Sequence, residues 1–314
     1  MNAVRHRLLL ALAVPSLLAV APLGAQAPVH RPQATFRSSV DLVSIQASVR
    51  DKRGRPVKGL TTADFEVRDN GLAKPILSMR SDHGSPVSLA ILVDMSGSMR
   101  VGAKMAMARQ AFGTMLSQLR GGEDEVALFT FDSALHERHP FTTDLARLSG
   151  ALDDLRPFGA TSLYDATAAT ARRLADRPAA HKAIVILTDG VDTSSALTPA
   201  EVSGLASSID VPVYVIATVP AVDQVAMSDA ASRSGAGEGA DLRDLAEWTG
   251  GQLIFTHSPV DNVVLASNLL AELRQRYVLA IEAAGSQSNV WRRLEVRVRK
   301  SSAVVKARSG YFGG

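Results

Sequence analysis

The sequence predicts an α/β protein, with a doubly wound, mostly parallel sheet flanked by helices and a small β-sandwich formed by the N- and C-terminal segments. Two patterns predict it. Between residues 86 and 276, short continuous apolar runs alternate with helical stretches, the pattern of buried parallel strands and their crossovers. On both sides of that region the apolar period falls to two, as half-buried antiparallel strands require. The bulk composition agrees: 314 residues, 46% hydrophobic and 21% charged, can bury a sizeable core, so disorder and coiled coil are excluded.

The chain opens with Arg5, His6 and Arg7, an apolar run from Leu8 to Val20, and small residues ending Ala25-Gln26-Ala27. That three-part order predicts a secretory signal peptide over residues 1–27, cut after Ala25 or Ala27. The run is about 13 residues long and contains Pro15, short of the roughly 20 residues a spanning helix needs. Loss of the leader removes two Arg and no acid, so the formal charge falls from +3 to +1. A nearly neutral mature chain has no field for nucleic acid. The sequence holds no Cys, which excludes disulfides, thiolate metal sites, thiol nucleophiles and a lipid-modified Cys. The expected product is exported, periplasmic or secreted, with no transmembrane span.

Residues 28–85 are expected to form the N-terminal β segment. Val43, Ile45, Ala47 and Val49 alternate with polar residues, Lys52-Arg53-Gly54-Arg55 makes a charged turn, and a strand at Phe65 and Val67 ends at the turn dipeptide Asn70-Gly71. The α/β domain follows over 86–276. Its strands are expected at Val87 to Val93, Val126 to Phe131, Ala183 to Thr188, Val211 to Thr218 and Leu253 to Phe255. Its helices are expected at Val101 to Arg120, Ser162 to Asp176, Pro199 to Ser208, Leu242 to Trp248 and Val263 to Leu273. Leu135 to Phe141 contains Pro140 and reads as an added edge strand. Residues 277–314 return to period two and are expected to pair with 28–85, so that the α/β domain is an insertion between two halves of one β support. The basic run on Arg293, Arg297 and Arg299 reads as the solvent face of a strand. Residues 219–241, rich in Gly, Ala and Ser, read as a surface loop or, since they follow a strand on the same rim, as a lid or specificity loop with Asp223 and Asp229 available to tune a neighbouring site.

Three segments end or begin alike. The first apolar run leads into Asp94-Met95-Ser96-Gly97-Ser98-Met99; another leads into Asp189-Gly190; the loop before the second helix carries Thr161. In open α/β sheets the crevice outside the carboxyl ends of the strands is the ligand site, so topology gathers these residues on one rim. Asp94, Ser96, Ser98, Thr161 and Asp189 are hard oxygen donors without imidazole or thiolate, a set that suits Mg²⁺ or Mn²⁺ over Zn²⁺ or Cu²⁺. Two carboxylates and three neutral hydroxyls leave such an ion electron-poor and open to an outside carboxylate. Asp165 reads as a charge at a helix start. Asp132 and Asp192 follow strands on the same rim and are candidates for tuning it. The seven His are scattered, without ligand spacing.

These five positions resemble the metal-ion-dependent adhesion site of von Willebrand factor type A domains, over roughly residues 86–276. The stretch Val49 to Val57, Leu60, Asp64-Phe65, Thr249-Gly250-Gly251 and Ser309-Gly310-Tyr311-Phe312 is similar to the flanks of the bacterial envelope or secreted VWFA-related subfamily. The resemblance implies that Ser96 and Ser98 ligate Mg²⁺ directly, that Thr161 does so in the ligand-competent state, and that Asp94 and Asp189 act through water. It also implies a metal-dependent protein-binding or adhesion module, not an enzyme, that recognises an Asp or Glu of a protein or envelope component. Two alternatives remain at this stage: a Mg²⁺-dependent phosphohydrolase using Asp94 as nucleophile, and a structural assembly subunit with an unused site. Ser96 is not in a Gly-x-Ser-x-Gly elbow, and no His stands where a triad base would.

Overall fold

The computed structural model describes residues 42–312, apart from 180, 191, 209, 219–237, 257–258, 284–289 and 300–301. The leader and most of the 219–241 loop, with Asp223 and Asp229, lie outside the described residues. Residues 238–241 of that loop belong to a helix.

The strands of the first β segment are β1 (Leu42–Arg50), β2 (Phe65–Asp69), β3 (Leu72–Lys74) and β4 (Ile76–His83). The α/β region comprises β5 (Val87–Asp94), α1 (Lys104–Gln118), β6 (Glu125–Phe131), β7 (Leu135–Thr142), α2 (Leu163–Ala175), β8 (His181–Thr188), α3 (Pro199–Ser208), β9 (Val213–Ala217), α4 (Glu238–Thr249), β10 (Gln252–Phe255) and α5 (Pro259–Leu273). The chain closes with β11 (Gln275–Glu282), β12 (Trp291–Val298), β13 (Val304–Ala307) and β14 (Gly310–Phe312). Among the described residues no helix is long and apolar enough to cross a membrane.

The central sheet has the order β10-β9-β8-β5-β6-β7, parallel except for β7, which runs antiparallel on β6 as the Pro-containing edge strand predicted. Every residue of β5 is buried. Its apolar run nonetheless divides by the strand period: Val87, Leu89, Ile91 and Val93 face α1 and α5, whereas Ala90 and Leu92 face α2, α3 and α4. Burying each such large aliphatic side chain contributes about 1.5–3 kcal/mol, which is why the middle strands read as unbroken hydrophobic runs.

The chain ends build the sandwich. One sheet has the order β13-β1-β11-β4 and the other β14-β12-β2-β3, so each combines strands from before and after the α/β region. Between them lie Val43, Ile45, Phe65, Val67, Tyr277, Leu279, Leu294 and Tyr311. Asn70 and Gly71 take φ of 48° and 81°, the left-handed pair that a two-residue hairpin turn needs, and they set Asp69 opposite Leu72. The basic strand is a solvated face: Glu295 stands opposite Arg68 and Arg297 opposite Glu66, with Arg297 and Glu295 2.9 Å apart. Such exposed pairs contribute about 0–1 kcal/mol each.

Two short motifs fasten the sandwich to the α/β region. Gly250 has φ +85°, and a Cβ on it would lie 2.9 Å from the Arg308 backbone N, so the turn between α4 and β10 admits no side chain against the C-terminal segment. Ser309 N donates to the Trp248 carbonyl at 2.9 Å, and the buried Arg308 guanidinium donates to the carbonyls of Ser207 and Ser44.

Candidate metal centre

The sheet order places the site. From β5 the chain moves to β6 and β7, whereas from β8 it moves the other way to β9 and β10, so the carboxyl ends of β5 and β8 flank the reversal point where α/β sheets bind ligands. Asp94 is the last residue of β5, and Asp189 follows β8 directly. Phe158 N donates to the Met95 carbonyl at 2.6 Å and Gly97 N to the Gly159 carbonyl at 3.0 Å, which ties the Thr161 loop to the Ser96–Ser98 loop. All five predicted residues therefore converge on one rim.

The Ser96 and Ser98 hydroxyls face each other rather than capping the turn that follows. Ser96 precedes the short 3-10 turn Gly97–Arg100 but makes no capping bond; its hydroxyl lies 2.9 Å from that of Ser98. Thr161 is clamped through its backbone: its N–H donates to Thr193 Oγ1 at 2.9 Å, and its carbonyl accepts from the N–H groups of Thr193 and Ser194 at 2.9 and 3.0 Å. Asp94, Ser96, Thr161 and Asp189 are all buried.

The two carboxylates differ. Asp94 accepts from Ser96 N at 2.8 Å through Oδ1 and from the Thr188 hydroxyl at 2.7 Å through Oδ2. Burial pushes its carboxyl up from 3.8 to about 6; the bonds from Thr188 and Ser96 pull the other way, and the charge of Asp189 adds to the rise. Asp189 Oδ2 accepts from Lys104 Nζ at 2.9 Å, while its buried Oδ1 has no hydrogen-bond partner among the described residues. An orphaned buried carboxylate oxygen is costly unless something cationic completes it.

This donor set fits a hard divalent cation. Asp189 Oδ1 is unsatisfied, two hydroxyls stand side by side, and two carboxylates lie close enough to repel each other. Among the described residues no group of three His, Asp or Glu could hold a metal, so any ion held here would rely on hydroxyls.

The other acids on the rim have local duties. Asp192 accepts from the N–H groups of Leu163 and Tyr164 at 2.7 and 3.3 Å and so caps α2; Asp165, in the first turn of α2, accepts from Ala196 and Leu197 at 3.0 and 2.9 Å. The exchange locks the loop after Asp192 onto the helix that begins beside Thr161. Asp132 Oδ1 accepts from Ala134 N at 3.0 Å, and its carbonyl accepts from Ser162 N at 2.7 Å. Sequence reasoning missed Lys104, Thr188 and the Thr193–Ser194 clamp. Of these only Lys104 carried a signal, as a cation at the positive end of a helix.

Residues 89–191, which contain all five positions, match the family model of the von Willebrand factor type A domain. No curated protein matches the chain. Solved structures similar to it include a von Willebrand factor type A protein from Catenulispora acidiphila, with 16% identity and a TM-score of 0.49, covering 79% of this chain and 74% of that one. BatB from Bacteroides thetaiotaomicron has 16% identity and a TM-score of 0.47, over 59% of this chain and 97% of its own. The von Willebrand domain of the type V pili tip protein Mfa5 from Porphyromonas gingivalis has 26% identity and a TM-score of 0.30, over 35% and 39%. The matched stretch runs from β5 to just past β8 and carries the converging rim, so this part of the chain is similar to a von Willebrand factor type A domain.

Proposed function

We propose that the protein is an exported binding module that recognises an Asp or Glu side chain of another protein or envelope component through a Mg²⁺ ion, with Mn²⁺ as a substitute. Ser96, Ser98 and Thr161 would hold the ion through their hydroxyls, and Asp94 and Asp189 would hold it through water and orient the hydroxyls. The ion supplies the positive charge that attracts the partner's carboxylate. The chain's own residues do the rest. Thr188 and Ser96 N fix Asp94, and the Asp132, Thr193 and Ser194 backbone bonds hold the Thr161 loop against the rim.

The observation that carries this reading is the orphaned, buried Asp189 Oδ1 beside the Ser96–Ser98 hydroxyl pair. An aspartyl nucleophile has less support. Both oxygens of Asp94 accept hydrogen bonds, its side chain is buried, and the position two residues on, where a general acid would stand, is Ser96.

Thermal unfolding of the full chain in Mg²⁺, Mn²⁺ and EDTA tests the proposal. Saturating Mg²⁺ at 100 times its Kd is expected to stabilise the wild type by about 2.7 kcal/mol over EDTA, and to leave Asp94→Ala unshifted. Equal shifts in both proteins would overturn it, and phosphate release lost in Asp94→Ala would favour the enzyme.

A further inference from the structure

We propose that Lys104 is a built-in cation that competes with the divalent ion for Asp189 and so lowers the affinity of the rim for metal. The inference rests on the metal site proposed above and adds a regulator to it. Lys104 Nζ lies 2.9 Å from Asp189 Oδ2, and the two side chains are 17% and 2% exposed. The contact joins the start of α1 to the residue after β8, 85 positions apart in sequence.

The helix gives an independent reason to read this pair as more than a surface contact. Lys104 opens α1, Ala103 before it makes no side-chain cap, and the first turn contains no acid. A helix start carries about half a positive charge, so a lysine there is disfavoured unless an anion compensates it. Asp189 is that anion, and it comes from another strand. The ammonium is thus held where local electrostatics oppose it, on one oxygen of a carboxylate whose other oxygen is bare.

The charge balance gives the consequence. Asp94 and Asp189 bring two negative charges when ionised, and Lys104 offsets one of them. A divalent ion entering the rim either displaces the ammonium from Asp189 or shares that carboxylate with it, against like-charge repulsion. Both routes weaken binding. Lys104 also stabilises the metal-free protein by giving Asp189 a partner, so that the rim stays ordered without metal.

The test is calorimetric titration of MgCl₂ into the EDTA-stripped full chain, with melting in EDTA alongside. Lys104→Met, which keeps the length and removes the charge, is expected to bind Mg²⁺ about tenfold more tightly than wild type. It is expected to melt at a lower temperature in EDTA and to gain more on adding Mg²⁺. Lys104→Gln is expected to move in the same direction, and serves if Lys104→Met does not fold. Lys104→Arg, which keeps the charge, is expected to bind no more tightly than wild type. Equal or weaker Mg²⁺ binding by Lys104→Met and Lys104→Gln, with the wild type binding normally, overturns the inference and leaves the metal site standing. If neither wild type nor the Lys104 variants bind Mg²⁺ in an Asp94-dependent way, the metal site falls and the inference with it.

Discussion

Glu272→Ala is expected to lower the unfolding free energy by about 3–5 kcal/mol, the usual cost of removing one member of a buried charged cluster. Glu272 is 4% exposed and lies near the end of α5. It accepts a hydrogen bond from Tyr214 on β9 at 2.8 Å and stands 3.3 Å from both Arg50 on β1 and Lys306 on β13. Three elements of the molecule therefore meet at one carboxylate: the central sheet, the last helix and the sandwich. Burial, with the charge of Glu272 next, raises the Tyr214 phenol well above its ordinary value, so it stays a neutral donor. Arg276 adds to the same cluster, donating to Tyr214 Oη at 3.1 Å and to Gln46 at 2.9 Å. Without Glu272, Arg50 and Lys306 keep their charge in a half-closed cleft and lose the group that balances it. Denaturant unfolding checks the value. A loss below about 1 kcal/mol would mean that the sandwich and the α/β domain are joined without Glu272, by Arg308, apolar packing and backbone bonds.

The second large effect is a pH dependence. In EDTA, the stability of the wild type relative to Asp94→Asn is expected to fall by about 3 kcal/mol as the pH rises from 3 to 7. The sign follows from the direction of the shift. Asp94 titrates near 3.8 in the unfolded chain and at about 6 in the folded one. Between those values the folded protein keeps a proton that the unfolded chain has released, so its contribution to stability is complete only well below pH 3.8. It is lost as the pH rises through 6. Two pKa units correspond to about 3 kcal/mol. His181 is buried, and desolvation lowers its pKa, but it is common to both proteins and drops out of the difference. Urea unfolding of the two proteins across this range measures it. A flat difference would show that Asp94 is not desolvated as the structure has it.

Much of this was legible in the sequence because burial leaves a period. The unbroken apolar runs of β5 and β8 mark strands covered on both faces, and the alternation of β1 and β12 marks strands covered on one. Asn70-Gly71 announced its turn because few other residue pairs adopt two consecutive positive φ angles. Asp94, Ser96, Ser98, Thr161 and Asp189 were legible through a spaced motif and through the rule that strand ends share a rim. What was not legible depends on tertiary neighbours. Nothing local distinguishes Asp192, which caps α2, from Asp189, which is left with a bare oxygen three residues earlier. Thr188 reads as the last residue of a strand, and only the fold brings its hydroxyl to Asp94. Lys104 stands out as a cation at a helix start, but its partner is visible only when the fold places Asp189 beside it. The cluster around Glu272 joins residues from four separate stretches of chain, none of which forms a motif alone.

The central claim, that the rim of β5 and β8 is a divalent-cation site, is tested most directly by anomalous diffraction from crystals grown with Mn²⁺. One anomalous peak is expected, bounded by Asp94, Ser96, Ser98, Thr161 and Asp189 and absent from Asp94→Ala crystals grown the same way. Wild-type crystals with no peak at that rim, or with ordered Mn²⁺ only elsewhere on the molecule, would contradict it.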